Sequence, residues 1–161
     1  MIPIKRLTTG AALTAAVVAA TTLAFAPSAS AAVTPATATI TASCGIFGGG
    51  AATLTATQVS STSGTITLNS TAITTPLALS ANSISSTLTM TNSTGANRVF
   101  SGTVNPAIPA GGAVTVGPLP GTVAVGDRLD FYNGSLKMVI FGISVTCTSS
   151  AAQSPGPFVF S

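Results

Sequence analysis

Very few side chains in this sequence can carry out chemistry. The chain contains no histidine and no glutamate, and Asp127 and Asp130 are its only side-chain carboxylates. Without histidine, the Ser-His-Asp and Cys-His arrangements, the histidine metal sites and the usual proton shuttle are excluded. We therefore expect a protein that is not an enzyme, with no catalytic residue, no metal and no cofactor.

The two carboxylates lie on either side of Arg128. A glycosidase would need two carboxylates that flank one bond, and calcium usually takes six or more oxygen ligands. A turn-forming aspartate and an ion pair at a strand edge are the simpler explanation, with weak calcium binding as the functional alternative. A Ser–Lys dyad at Lys137 is the other hydrolase arrangement open to the chain, but Lys137 is expected to begin a strand, where a charged residue is common.

Cys44 and Cys147 are the only cysteines of the chain. Each ends a strand-like run and lies on its apolar side. In an exported chain an even pair predicts a disulfide, and two cysteines allow one intramolecular pairing. The bond would close a loop of about a hundred residues, worth roughly 4 to 5 kcal/mol in the chain-entropy model. Buried free thiols or a metal site are the alternatives, although two cysteines without histidine cannot complete a tetrahedral zinc site.

The N-terminus has the features of a cleaved export signal. Lys5 and Arg6 precede an almost wholly apolar or small run that extends to Ala26, and further small residues follow. We expect a helical signal peptide that is cleaved between Ala32 and Val33, or one residue earlier. A transmembrane anchor is the alternative, because the run reaches the lower end of a membrane-spanning length. Its weak hydrophobicity favours cleavage.

Cleavage divides the chain into a signal peptide, residues 1–32, and a single domain, residues 33–161. The mature chain is expected to have no transmembrane span. Its expected location is outside the cell, either secreted or retained at the cell surface.

The remaining domain carries almost no charge. Removal of Lys5 and Arg6 leaves three basic residues against two aspartates, so most of the formal net charge of +3 belongs to the signal. A nucleic-acid-binding surface needs clustered Lys and Arg, and we expect no nucleic-acid partner. Because 46% of residues are hydrophobic, the chain is not expected to be disordered. Low net charge favours self-association or adhesion to a surface.

Short runs with β-strand character follow one another along the domain. The first, residues 36–44, alternates between apolar residues and hydroxyls, and no helical pattern of useful length occurs outside the signal. This spacing predicts an all-β fold, either an immunoglobulin-like antiparallel β-sandwich or a small barrel. The later runs are residues 52–59, 64–69, 73–79, 84–91, 98–104, 113–116 and 123–125, with 158–160 as a last short edge strand. A long loop or edge region is predicted by four prolines, Pro106, Pro109, Pro118 and Pro120.

The most strongly patterned segment is residues 137–147, which we predict to be one central strand. Its alternate residues from Val139 to Cys147 are all apolar and would share one face. Asn133-Gly134, just upstream, is the strongest short-range signal for a two-residue hairpin turn, because both central positions need positive φ. Residues 129–132 are therefore predicted to fold back on the central strand.

The segment Val123-Ala-Val-Gly-Asp-Arg-Leu-Asp-Phe131 resembles the approach to a strand in exported immunoglobulin-like and cupredoxin-like domains. The resemblance implies a β-sandwich. Cupredoxins hold copper through two histidines and a cysteine. Because the chain has no histidine, the resemblance does not imply a copper site.

These features lead us to expect a non-catalytic secreted protein with a binding or structural role at the surface of a bacterial cell or outside it. Its partner would be a polymer of the cell envelope or another surface protein, contacted through hydroxyl-rich faces and edge strands. A second hypothesis is a carrier of a small apolar ligand, lined by aromatic residues that would otherwise be ordinary core: Phe47, Phe100, Phe131 and Tyr132. A third is self-assembly into a surface or fibre protein by pairing of residues 138–145.

Overall fold

The computed structural model describes residues 31–161, which form an all-β fold. The only helical element in this range is a 3₁₀ turn, Gly45–Phe47. Buried and exposed residues alternate along most of the strands, as expected where one face of a strand packs on a core. The strands are β1 (Val33–Thr34), β2 (Thr37–Ser43), β3 (Gly49–Ser60), β4 (Ser63–Thr74), β5 (Ser85–Asn92), β6 (Asn97–Gly102), β7 (Ala113–Thr122), β8 (Arg128–Ile140), β9 (Ile143–Ser149) and β10 (Phe158–Phe160).

Eight of the strands close into an antiparallel barrel. Their order around the ring is β8, β5, β6, β7, β4, β3, β2 and β9, and β9 pairs again with β8. Outside the ring, β10 pairs with the first residues of β8, and β1 pairs with β10. The prediction of an all-β fold is therefore confirmed in its small-barrel form, whereas the immunoglobulin-like sandwich is not confirmed.

An apolar core fills the barrel. Phe158 and Phe160 of β10 are fully buried and lie at the end of the barrel where β8 begins. The ring of Phe160 lies so close to Gly64 that any side chain at residue 64 would collide with it. Burial of side chains of this size is worth about 1.5 to 3 kcal/mol each. β10 therefore closes this end of the barrel, which we call the closed end.

The prediction of a single strand over residues 137–147 is wrong. β8 ends at Ile140, β9 begins at Ile143, and these two residues face each other across the pair. Phe141 and Gly142 form the turn between them, with φ values of 50° and 78°. The sequence gives little warning of this turn, because a bulky residue seldom adopts positive φ. The β8–β9 hairpin turns at what we call the open end of the barrel.

The hairpin turn predicted at Asn133-Gly134 is also wrong, because both residues lie inside β8. The pairing of β8 with β5 shifts at this point, which marks a β-bulge. Asn133 has a φ of 64°, and a side chain at residue 134 would collide with the carbonyl of Thr89. Asn-Gly suits positive φ and close backbone approach, which both a bulge and a turn can use.

Most of the remaining strand predictions are right in outline, but their bounds differ and two of the predicted strands do not form as such. The predicted strand over residues 73–79 does not form as one, because β4 ends at Thr74, and residues 123–125 are not in a strand. The last predicted strand, residues 158–160, does form, but it lies between β8 and β1 instead of at an edge.

The four prolines divide between a loop and a seam. Pro106 and Pro109 lie in the connection between β6 and β7, as predicted, whereas Pro118 and Pro120 lie inside β7. β7 meets β6 through a single residue pair. Proline has no N–H group to donate to a strand ladder, which limits pairing here. The β6–β7 contact, with one residue pair, and the β2–β9 contact, with two, are the most sparsely paired contacts in the ring.

Cys44 and Cys147 form a disulfide, as predicted. Both residues are buried, and the bond joins the end of β2 to β9. These two strands share only two residue pairs, Ala42 with Ser149 and Ser43 with Thr148. The disulfide therefore reinforces the contact that closes the ring.

The predicted export signal covers residues 1–32, of which 1–30 lie outside the described residues. Signal and cleavage site thus stay predictions, although Val33, the expected first residue of the mature chain, is also the first residue of β1. Within residues 31–161, no helix has the length and apolar character needed to cross a membrane.

Removal of the disulfide should destabilise the barrel strongly. The bond spans 103 positions of sequence, so its loss frees a long loop in the unfolded chain. We expect Cys44→Ala/Cys147→Ala to lower the free energy of unfolding by about 2 to 5 kcal/mol, measured by urea denaturation of residues 33–161. Wild-type protein in a thiol reductant should shift in the same direction. An unchanged urea midpoint in both cases would contradict this role of the bond.

Candidate binding site

A half-open apolar cavity of about 330 Å³ lies at the open end of the barrel. Its floor is made by core residues that include Ile73, Val114 and Met138. Three segments surround it: the 3₁₀ turn after β2, residues 75–79 after β4, and the β8–β9 turn. The cavity is thus built where strands end and is continuous with the core beneath it. We call it the end pocket.

Large apolar side chains stand exposed around the end pocket. The five rim residues are between 46% and 95% exposed, although each is a type that normally gains from burial. A contiguous apolar patch of this kind on a monomer often marks a binding site. The rim residues are Ile46, Phe47, Leu77, Phe141 and Ile143.

The end pocket contains no charged residue. Thr74 and Thr75 are the polar side chains in its lining. Of the charged residues in the described chain, Arg128 and Asp130 lie where β8 begins, at the closed end. Lys137 is exposed on β8 and is not part of the lining. The chemistry of the pocket therefore suits an uncharged apolar group.

Backbone hydrogen bonds hold the rim segments in place. Leu79 and Ile108 exchange two backbone hydrogen bonds of 2.8 and 2.9 Å, and Gly111 N–H donates to the Thr75 carbonyl at 2.7 Å. On the other side, Cys44 N–H donates to the Gly48 carbonyl at 2.8 Å. The disulfide fixes Cys44 to β9. Such a pocket is largely pre-formed, which reduces the entropy lost on binding.

Phe141 is held in an unfavourable backbone conformation at the rim. Its φ is 50°, which costs an L-residue roughly 1 to 2 kcal/mol, and its side chain is 68% exposed. Asn or Gly in this position would form the same two-residue turn without that cost. Strained backbone conformations cluster at functional sites, which include ligand-binding positions.

A second, polar pocket of about 260 Å³ lies beside the β8 bulge. Its lining includes Arg128, Asp130 and Tyr132, but several of its polar groups are used within the fold. Asp130 Oδ1 accepts hydrogen bonds from the N–H groups of Tyr132 and Gln153 at 2.8 and 3.2 Å. Asn92 Oδ1 accepts bonds from the N–H groups of Thr94 and Ala96. These groups shape turns instead of pointing at a ligand.

The structure does not bring together the four aromatic residues proposed from the sequence to line a ligand site. Phe47 lies on the rim of the end pocket and Tyr132 in the polar pocket. Phe100 and Phe131 are fully buried in the core. Binding by Phe47 or Tyr132 stays a prediction, and the aliphatic rim residues Ile46, Leu77 and Ile143 were missed. Their exposure depends on where strands end, which apolar composition alone does not reveal.

Asp127 has the structural role that its sequence context predicts. Its carboxylate pairs with Arg98, whose Nε lies 2.6 Å from Oδ2, and it accepts a hydrogen bond from Ala124 N–H at 2.8 Å. Burial alone would raise the pKa of Asp127, but the hydrogen bonds from Arg98 and Ala124 outweigh it and hold the pKa below its ordinary value. The group stays ionised and shapes the turn before β8.

Comparisons with protein-family models, with curated proteins and with solved structures found no match for this chain. The geometry of the end pocket is therefore the main guide to function.

Relief of the strain at Phe141 should stabilise the protein. We expect Phe141→Asn to raise the free energy of unfolding by about 1 kcal/mol, because asparagine tolerates positive φ and the lost side chain buries little area. Urea denaturation measures the change. Phe47→Asn is the matched control, an exposed rim aromatic without positive φ, and should give no gain. A destabilised Phe141→Asn protein would show that the ring contributes packing that outweighs the strain.

The Asp127 ion pair should make stability depend on acid pH. Because the pKa is lower in the folded state than in the unfolded chain, the carboxylate stabilises the fold above about pH 4, and this contribution is lost as the pH falls through the folded pKa. We expect the wild-type free energy of unfolding to fall between about pH 5 and pH 2 more steeply than that of Asp127→Asn. Asp130→Asn keeps the ion pair and serves as control. Parallel curves for wild type and Asp127→Asn would contradict the prediction.

Proposed function

We propose that this protein is an exported, non-catalytic binding protein that acts outside the cell or at its surface and holds an apolar group in the end pocket. Its partner would be a component of the cell envelope or another surface protein. The disulfide supports an oxidising location, because such bonds form and persist outside the reducing cytosol. The predicted signal peptide points to the same location.

The observation that carries the proposal is the combination of an uncharged cavity with an exposed apolar rim. Its volume of about 330 Å³ falls at the lower end of the range typical of ligand pockets. Its floor is made of buried core residues, so the cavity lies at the surface of the barrel, above the core. A group bound there would cover apolar side chains that otherwise face water.

A carrier of a small apolar ligand is the second candidate, supported by the same cavity. It differs from the first in what fills the pocket in the native protein. Native mass spectrometry of protein purified from its own source separates the two, because a carrier retains a bound mass and a docking protein does not.

Self-assembly through residues 138–145, the third hypothesis, would have to involve the β8–β9 hairpin, because these residues do not form one strand. These residues cover the end of β8, the turn and the start of β9, and β8 is paired on both sides. Assembly would therefore involve β9 and the turn instead of one continuous strand. Thioflavin-positive material from the native source would favour this route.

The proposal is tested by a charge placed at the rim. Leu77→Asp and its matched control Val125→Asp change residues of similar exposure, 61% and 67%, but residue 125 lies outside the end pocket. We expect Leu77→Asp to weaken binding of the neutral dye Nile red by about tenfold or more, and to weaken retention on isolated cell envelopes to the same extent. The reason is that an apolar group bound in the pocket would bury the new charge without a partner, which is costly. Val125→Asp should behave as wild type.

Two results would count against the proposal. Equal loss in both variants would show a general effect of charge, and equal binding in wild type and Leu77→Asp would show that the end pocket is not used. Both variants should retain the wild-type urea midpoint within error, since both residues are exposed.

A further inference from the structure

The start of β9 has an unpaired edge directly beside the end pocket. On one side, Ile143 to Cys147 pair with β8. On the other side, β2 reaches only Thr148 and Ser149, because it ends at Ser43. The 3₁₀ turn that follows contacts β9 but forms no ladder with it. Within residues 31–161, no strand pairs with the outer side of residues 144–146.

The register of the hairpin shows which backbone groups face this edge. A two-residue turn places a hydrogen-bonded pair at Ile140 and Ile143, and such pairs then alternate along the ladder. The backbone groups of Val145 therefore point to β8, while those of Ser144 and Thr146 point outward. No hydrogen bond from another described residue reaches the N–H or carbonyl of Ser144 or Thr146 on that side. The edge offers two donors and two acceptors.

Side chains along the edge alternate in the complementary way. Ser144 and Thr146 are exposed, whereas Val145 is buried and lines the end pocket. An added antiparallel strand would place the residues opposite Ser144 and Thr146 on the outside. The residue opposite Val145 would point inward, toward the pocket.

We infer that the occupant of the end pocket is an extended, uncharged polypeptide segment that adds to β9 as a further strand and places alternate apolar side chains in the pocket. This inference rests on the function proposed above and specifies its partner. Backbone hydrogen bonds to Ser144 and Thr146 supply the pairing, and the pocket supplies selectivity for apolar residues.

The charge and shape of the site favour such a segment. The pocket lining and the edge carry no charge, so a charged side chain placed there would lose its hydration without a partner. A second copy fits less well. Its own β9 presents inward side chains, such as Val145 and Cys147, that are buried in its own barrel and cannot fill a neighbour's pocket.

The test uses the neutral peptide acetyl-Ser-Leu-Ser-Leu-Ser-amide, with Phe in place of Leu in a second version. We expect at least one of them to bind wild-type protein and to slow amide hydrogen exchange of Ser144 and Thr146 by tenfold or more. The amide of Val145, which is bonded to β8, should exchange slowly with and without peptide and serves as an internal control. Nile red binding is measured in parallel.

Backbone pairing is separated from side-chain contact by two pairs of variants. Ser144→Pro removes the edge N–H, which an edge position tolerates, and should weaken peptide binding about tenfold or more. Ser144→Ala keeps the N–H and should bind as wild type. In the peptide, N-methylation of the serine amides should abolish binding, whereas N-methylation of the leucine amides, which face away from β9, should leave it unchanged.

The outcomes distinguish this inference from the function on which it rests. Nile red binding that depends on Leu77, together with no binding of either peptide, overturns the inference and leaves the proposed function in place. Peptide binding that is insensitive to Ser144→Pro and to serine N-methylation also overturns it. A dimer that forms through β9 and is lost in Ser144→Pro would assign the edge to a second copy instead. Absence of both dye and peptide binding overturns inference and function together.

Discussion

The contact of β2 with β9 is the constraint on which the rest of this structure depends. A sheet that does not close leaves two edges with unpaired backbone groups, and here closure depends on two residue pairs and the Cys44–Cys147 bond. Because β2 stops where the bond forms, β9 continues beyond it with a paired strand, β8, on one side only. The same short contact therefore completes the barrel, anchors the 3₁₀ turn and creates the exposed edge beside the end pocket.

The two ends of the barrel differ in what fills them. At the closed end, Phe158 and Phe160 are buried, and the Arg98–Asp127 pair fixes the turn that leads into β8. At the open end, apolar side chains face water and Phe141 adopts a strained conformation. The exposed apolar rim and the strained Phe141 turn thus lie together at one end of the barrel. Such local departures from favourable packing and backbone geometry are expected at functional positions.

Strand character and the disulfide could be predicted from the sequence, because alternation reports on strand geometry and two cysteines allow only one intramolecular pairing. The path of the chain around Phe141 could not, since a phenylalanine gives no turn signal and the alternation across residues 137–147 imitates one strand. At Asn133-Gly134 the sequence carries a turn signal where no turn forms. The positive φ that such a pair favours serves a β-bulge as well as a hairpin turn. The end pocket depends on which strands end together, a property of strand order that no local pattern encodes.

The first and last described strands meet at the closed end. Val33 pairs with Phe160, and Ser161 Oγ donates a hydrogen bond to the Ala32 carbonyl at 2.8 Å. The end pocket lies at the other end of β8, across the length of a thirteen-residue strand. A tag, a solid support or a fused domain attached after Ser161 would therefore stand behind the barrel and leave the apolar rim pointing away from the attachment.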